Sequence, residues 1–281
     1  NARKIFHKIK HVRSTGLPHL PYKCDVMAPE EINVFSDGSW LFPLRQFLGI
    51  GGAGIWWPNR QLARDPTDYH RHRPRPLSEA EKDIAIAEQT KDGVRLYAKI
   101  GGYNGSSTRT ELAAGIIALS APGPVHIGSD SKAFVDQANN YLFLLKHNKR
   151  IYRRFKLISD GDLWEHFYRA CQKKGVHSIR ITWVKGHADQ KHIDQGITDA
   201  TKKAGNDMAD AVADKGTELF GKGLIQVADH LQLRHHLYYK LMRDISHHII
   251  EGYLIHRALT DRMEKKEAHE AKDQVKKFSY E

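Results

Sequence analysis

Cysteine is nearly absent from this 281-residue chain: Cys24 and Cys171 stand far apart, and neither sits in a metal-ligand spacing. That argues against a disulfide framework or a cysteine-based zinc site and points to a reducing, intracellular setting, with nucleus, cytoplasm and mitochondrion all open. Long apolar runs are also missing. None reaches the roughly 18–20 residues that a membrane-spanning helix needs, so no membrane partner is expected. Acidic residues are outnumbered, 33 against 44 lysines and arginines, which leaves a formal net charge of +11. A cationic surplus of this size favours polyanion partners, through attraction and counterion release. With 40% hydrophobic and 27% charged residues, the chain is still expected to be globular with an ordinary core.

The chain opens on Asn1, which suggests a piece of a longer product. Residues 1–30 form a basic N-terminal arm, acid-free to Lys23, with Ile5, Ile9 and Val12 at helical spacing. An organellar targeting helix, a nucleic-acid- or protein-binding arm and a solvated tail all fit that pattern. Residues 31–40 alternate as a half-buried strand does, and the glycine-loosened stretch 47–57 would hairpin with it. Prolines and charges interrupt the pattern over 58–92, which reads as an inserted loop with a short helix near 78–90. Strand character resumes at 94–103. A helix is expected over 109–121, a short buried strand over 125–130, and a helix from Ser131 towards Leu142. A further helix carries Leu163, Phe167 and Cys171 on one face, followed by a strand at 179–184, a Gly186-His187 turn and a helix at 205–219. Residues 220–281 form a helical C-terminal extension, one long helix or two. Its apolar stripe of Leu237, Leu241, Ile245, Ile249 and Tyr253 fits either core completion or a protein partner.

Four acids stand out in this layout: Asp37 in Phe-Ser-Asp-Gly-Ser, Glu111 in Ser-Thr-Arg-Thr-Glu-Leu, Asp130 in Gly-Ser-Asp-Ser, and Asp210 in Asn-Asp-Met-Ala-Asp. Two strands and a helix can bring such carboxylates to one point. Gathered closely, they repel one another unless cations neutralise them, which predicts a magnesium site acting on a phosphodiester.

These motifs, with Thr182-Trp183-Val184-Lys185-Gly186-His187 and in this order, make residues 31–219 resemble a type 1 ribonuclease H domain, in a version similar to that of retroelement reverse transcriptases. The resemblance implies an α/β fold, a mixed five-stranded sheet flanked by helices. It implies hydrolysis of the RNA strand of an RNA/DNA hybrid to 5′-phosphate and 3′-hydroxyl ends. The cofactor would be two Mg²⁺ ions about 3.5–4 Å apart, with Mn²⁺ able to substitute. Asp37 would bridge both ions, Asp210 would serve the nucleophile-side ion, and Glu111 with Asp130 the other. His187 would shuttle protons. Gly38 and Ser39 would approach the 2′-hydroxyls of the RNA strand, and Ser107, Thr108 and Asn206 are further substrate contacts. Lys149, Arg150, Arg153 and Arg154, in the basic stretch 146–156, would grip the DNA strand by its phosphates. The alternative is a catalytically retired scaffold in a ribonucleoprotein assembly; a transposase or integrase on the same fold fits the Lys-Gly-His segment less well.

Overall fold

The computed structural model of the chain describes residues 17–42, 49–62, 75–101 and 105–278. The expected helical spacing near the N-terminus and residues 63–74 of the insertion lie outside them. The chain divides into two units, Asn1–Asp229 and His230–Glu281.

The first unit is built on a mixed sheet. Strands β1 (Val34–Leu41), β2 (Ile50–Pro58), β3 (Ile86–Gln89) and β4 (Gly93–Ile100) pair antiparallel, and β5 (Val125–Ser129) and β6 (Ile179–Trp183) add in parallel beside β1. The spatial order is β3-β4-β2-β1-β5-β6. The sheet thus has six strands where five were expected. The additional one, β3, lies inside the stretch read as an insertion; it follows helix α1 (Glu79–Ile84) and, among the described residues, pairs only with β4. Four residues at a half-exposed edge show too little alternation to stand out beside the acidic run of α1. Helix α1 is fixed by a Ser78–Glu81 capping box and by Arg60, whose guanidinium grips the buried Glu81 in two bonds of 2.7 and 2.9 Å.

Helices cover both faces of the sheet. On one face lie α2 (Ser107–Ser120), α3 (Lys132–Lys146) and α4 (Gly161–Lys174). Ser106 caps α2 and Ser131 caps α3. Helix α2 is buried on nearly every side, so its apolar residues show no narrow stripe. Phe134, Trp164 and Phe167 knit α3 to α4, with ring centroids 5.6–6.2 Å apart. On the other face, α6 (Ala200–Glu218) packs against Phe35 and Trp56 through Ala209, after the short α5 (Gln190–Asp194). Residues 147–160, which hold most of the basic stretch, form a loop with a 3-10 turn at Phe155–Leu157.

Helix α7 (Lys222–Phe278) is a single helix, and the second unit consists of its length beyond Asp229. Leu237, Leu241, Ile245, Ile249 and Tyr253 recur every fourth residue there and are all exposed.

Candidate metal and nucleic-acid site

Strand register brings the first two acids together. Phe35 on β1 pairs with Gly128 on β5, so two residues further along each strand Asp37 comes level with Asp130. β5 ends at Ser129 while β1 continues to Leu41, so the two acids lie where the sheet opens beside β5. Glu111 enters from the second turn of α2. This requires a close approach: a Cβ on Gly38 would sit 2.4 Å from the Glu111 backbone nitrogen. Ligand atoms of Asp37, Glu111 and Asp130 all lie within 4.8 Å of one another. Asp210, half-buried on α6, adds its charge to the field around Asp37.

Crowding and burial shape the electrostatics. Burial, and next the charge of Asp130, push Asp37 up to about 7. Burial, then Asp37 and Asp130, push Glu111 up to about 10. The Gly38 N–H donates to Asp37 Oδ1 at 2.7 Å and opposes part of that shift. Glu111 Oε2 is buried without a hydrogen-bond partner among the described residues. An oxygen-rich, charge-frustrated pocket with an orphaned carboxylate oxygen is the environment a hard divalent cation relieves, so the residues present fit magnesium.

Asp130 is held from three directions. Trp183 Nε1 donates to its carbonyl oxygen at 3.0 Å, Asn206 Nδ2 donates to its Oδ2 at 3.3 Å, and Gly186 packs so close that a Cβ there would lie 2.1 Å from Oδ2. Trp183 and Gly186 belong to the Thr-Trp-Val-Lys-Gly-His motif, but nothing in the sequence shows that they brace this acid. His187 follows in the same turn, exposed and in the left-handed region at φ 46°.

Ser39 donates its hydroxyl to Asp214 at 2.7 Å, a partner the sequence does not mark. Ser107 and Thr108 occupy the first turn of α2, and Asn206 is buried against Asp130. Asp207, on the exposed side of α6, pairs with Lys203. Lys149, Arg150, Arg153 and Arg154 are all exposed on the basic loop. Lys149 lies 4.8 Å over the Phe143 ring, Tyr152 is fully exposed, and Phe155 anchors the loop between Tyr141 and Tyr168. A cleft of about 490 Å³ is lined by Thr108 on α2, Gln137 and Tyr141 on α3, and Tyr152 and Arg153 on the loop.

The chain is also similar to known proteins. The family model described as RNase H matches residues 78–218, a span that holds Glu111, Asp130, His187 and Asp210. Ribonuclease H of Rhizobium meliloti (strain 1021) is 31% identical over 120 residues, 42% of this chain and 68% of the relative. Ribonuclease H of Mesorhizobium japonicum is 31% identical over 126 residues, 44% of this chain and 62% of the relative. The chain therefore spans about two-thirds of the length of these relatives. The solution structure of the PFV RNase H domain is 22% identical, covering 66% of this chain and 93% of that one, with a TM-score of 0.41.

Proposed function

Because the chain belongs to the ribonuclease H family, we propose that it is a magnesium-dependent endoribonuclease cutting the RNA strand of RNA/DNA hybrids. The observation that carries this reading is the convergence of Asp37, Glu111 and Asp130, with ligand atoms within 4.8 Å and two of the three carboxyls pushed far above their ordinary range. Asp37, Glu111, Asp130 and Asp210 would hold two Mg²⁺ ions, for which Mn²⁺ could substitute. When bound, the ions would supply an activated water and neutralise the leaving 3′ oxygen, giving 5′-phosphate and 3′-hydroxyl ends.

The protein's own part is placement. Asp37, on the sheet, and Glu111, on the most buried helix, are fixed by the core and need little reorganisation. Asn206, Trp183 and Gly186 fix Asp130. His187, exposed on a turn beside Asp130, is suited to take the proton that leaves with product. The Gly38-Ser39 backbone and the hydroxyls of Ser107 and Thr108 face the RNA strand. Lys149, Arg150, Arg153 and Arg154 meet the phosphates of the DNA strand, with Tyr152 as a stacking surface. The exposed apolar face of α7 is offered to a protein partner.

Cleavage of a labelled RNA/DNA hybrid in Mg²⁺, beside single- and double-stranded RNA, tests the proposal. Hybrid-selective cutting supports it, whereas tight binding without cutting in Mg²⁺ or Mn²⁺ favours the scaffold reading.

A further inference from the structure

Arg109 lies two residues before Glu111, on the first turn of α2, and reaches away from the acid cluster. Its Nη1 donates to Asp160 at 3.1 Å and to Asp162 at 2.9 Å, and its Nη2 donates to the second oxygen of Asp162 at 2.6 Å. Ser106 Oγ contacts the other oxygen of Asp160 at 3.4 Å, while also accepting from the Arg109 backbone N–H. The first turn of the helix bearing Glu111 is thus tied to the exact point where the basic loop ends and α4 begins.

Asp160 shows what that tie displaces. It stands at the N-cap of α4, where an aspartate ordinarily caps its own helix. Here it adopts a left-handed φ of 53° and makes no capping bond; its carboxylate goes to Arg109 and Ser106 instead. Gly161 is needed beside it, because a Cβ there would lie 1.8 Å from the Phe155 carbonyl oxygen. The loop is folded back tightly on itself and its end is pinned by Arg109, which is itself largely buried with a side-chain exposure of 18%. The pinned segment, through Ile158 and Ser159, lines the same cleft as Thr108.

We infer that Arg109 is a positioning residue that sets the distance between the Glu111 helix and the basic loop, and so the grip on a nucleic-acid duplex that spans both. The inference rests on the hybrid-cleaving reading above. It separates two roles carried by neighbouring residues of one helical turn: Glu111 serves the metal and Arg109 serves the duplex. A bidentate guanidinium suits the second role because its planar fork fixes direction as well as distance, which an ammonium cannot do.

The test compares wild type, Arg109→Gln, Arg109→Lys and Asp162→Asn. The readouts are hybrid binding in EDTA across a salt series, steady-state cleavage in Mg²⁺, Mg²⁺ affinity by calorimetry, and amide exchange over residues 149–160. In Arg109→Gln, the hybrid Kd and KM are expected to rise roughly tenfold, with kcat within about threefold of wild type. The slope of log Kd against log salt should flatten by about one, as a phosphate contact is lost. Exchange over 149–160 should quicken, and Mg²⁺ affinity should not change. Arg109→Lys and Asp162→Asn should fall between, and Asp162→Asn carries the test if Arg109→Gln fails to fold. Unchanged Kd and salt slope in folded variants would overturn the inference alone, as would a loss confined to kcat and Mg²⁺ affinity. A wild type that neither binds nor cuts hybrid would overturn the functional reading and the inference with it.

Discussion

Asn206 donates its side-chain amide to Asp130 Oδ2 across 3.3 Å, linking α6 to the end of β5 while only 2% of its own surface is exposed. The residue expected among substrate contacts is turned towards a carboxylate of the acidic cluster, Asp130. Outer partners of this kind orient the ligand, and losing one typically weakens metal binding about 10–100-fold. Asn206→Ala is therefore expected to weaken Mg²⁺ binding by about tenfold in calorimetry. If hybrid affinity in EDTA falls instead and Mg²⁺ affinity holds, Asn206 acts on substrate.

Magnesium binding is expected to release protons. Asp37 is raised from 3.8 to about 7 and Glu111 from 4.5 to about 10 in the metal-free fold. Folded-state values above the unfolded ones mean that these groups support the metal-free fold at low pH. That support is lost as pH rises through about 7 for Asp37 and about 10 for Glu111. A bound cation reverses the preference by favouring the ionised forms. Mg²⁺ affinity should climb between pH 6 and 8, and calorimetric heats should vary with the ionisation enthalpy of the buffer. Heats independent of buffer would show that both acids are already ionised.

Lys174 is fully buried, with its ammonium donating to the Ala121 carbonyl at 2.5 Å, and burial lowers it from 10.5 to about 8. Below pH 8 both states are protonated and the fold carries the penalty, on the order of 3 kcal/mol. Between pH 8 and 10.5 the unfolded chain binds the extra proton, so this group makes stability rise with pH. In urea melts, the stability of Lys174→Met relative to wild type should decline from pH 7.5 to pH 10. A constant difference would show that Lys174 stays protonated in the fold up to pH 10, contradicting the lowering by burial.

The Arg60–Glu81 pair has side-chain exposures of 1% and 0%. Removing one partner strands a buried charge, so Arg60→Ala should cost about 3–5 kcal/mol in chemical denaturation. A double replacement by apolar residues of similar volume should recover much of that loss. A single mutant with wild-type stability would contradict the pairing.

The sequence made the grouping of Asp37, Glu111 and Asp130 legible because each lies in a short motif set by strand and helix periodicity: the alternation of β1 carries Asp37, and the capped start of α2 carries Glu111. Asp210 was read with them but stands outside that group. The sequence did not separate β3, since four edge residues beside an acidic helix leave little pattern. The glycines of β2 read as loosening a strand. In the fold Gly52 and Gly54 admit α6, since a Cβ on Gly54 would lie 2.1 Å from the Ala213 nitrogen. Partners across long separations were also illegible: Arg109 with Asp162, Ser39 with Asp214 and Trp183 with Asp130 depend on tertiary placement, and no local spacing encodes them. The basic run at 146–156 was visible as charge, but its loop conformation depends on Phe155 packing against Tyr141 and Tyr168.

The central claim is that the carboxylate cluster cuts the RNA strand of a hybrid. Its most direct test is cleavage of a labelled RNA/DNA hybrid in Mg²⁺ by wild type and by Asp130→Asn, which keeps the side chain's size while removing its charge. The account predicts cutting of the RNA strand alone by wild type, leaving 5′-phosphate ends, and a loss of at least about 100-fold in the variant with hybrid binding retained. Equal cutting by both proteins, or binding by wild type without any cutting, would contradict it.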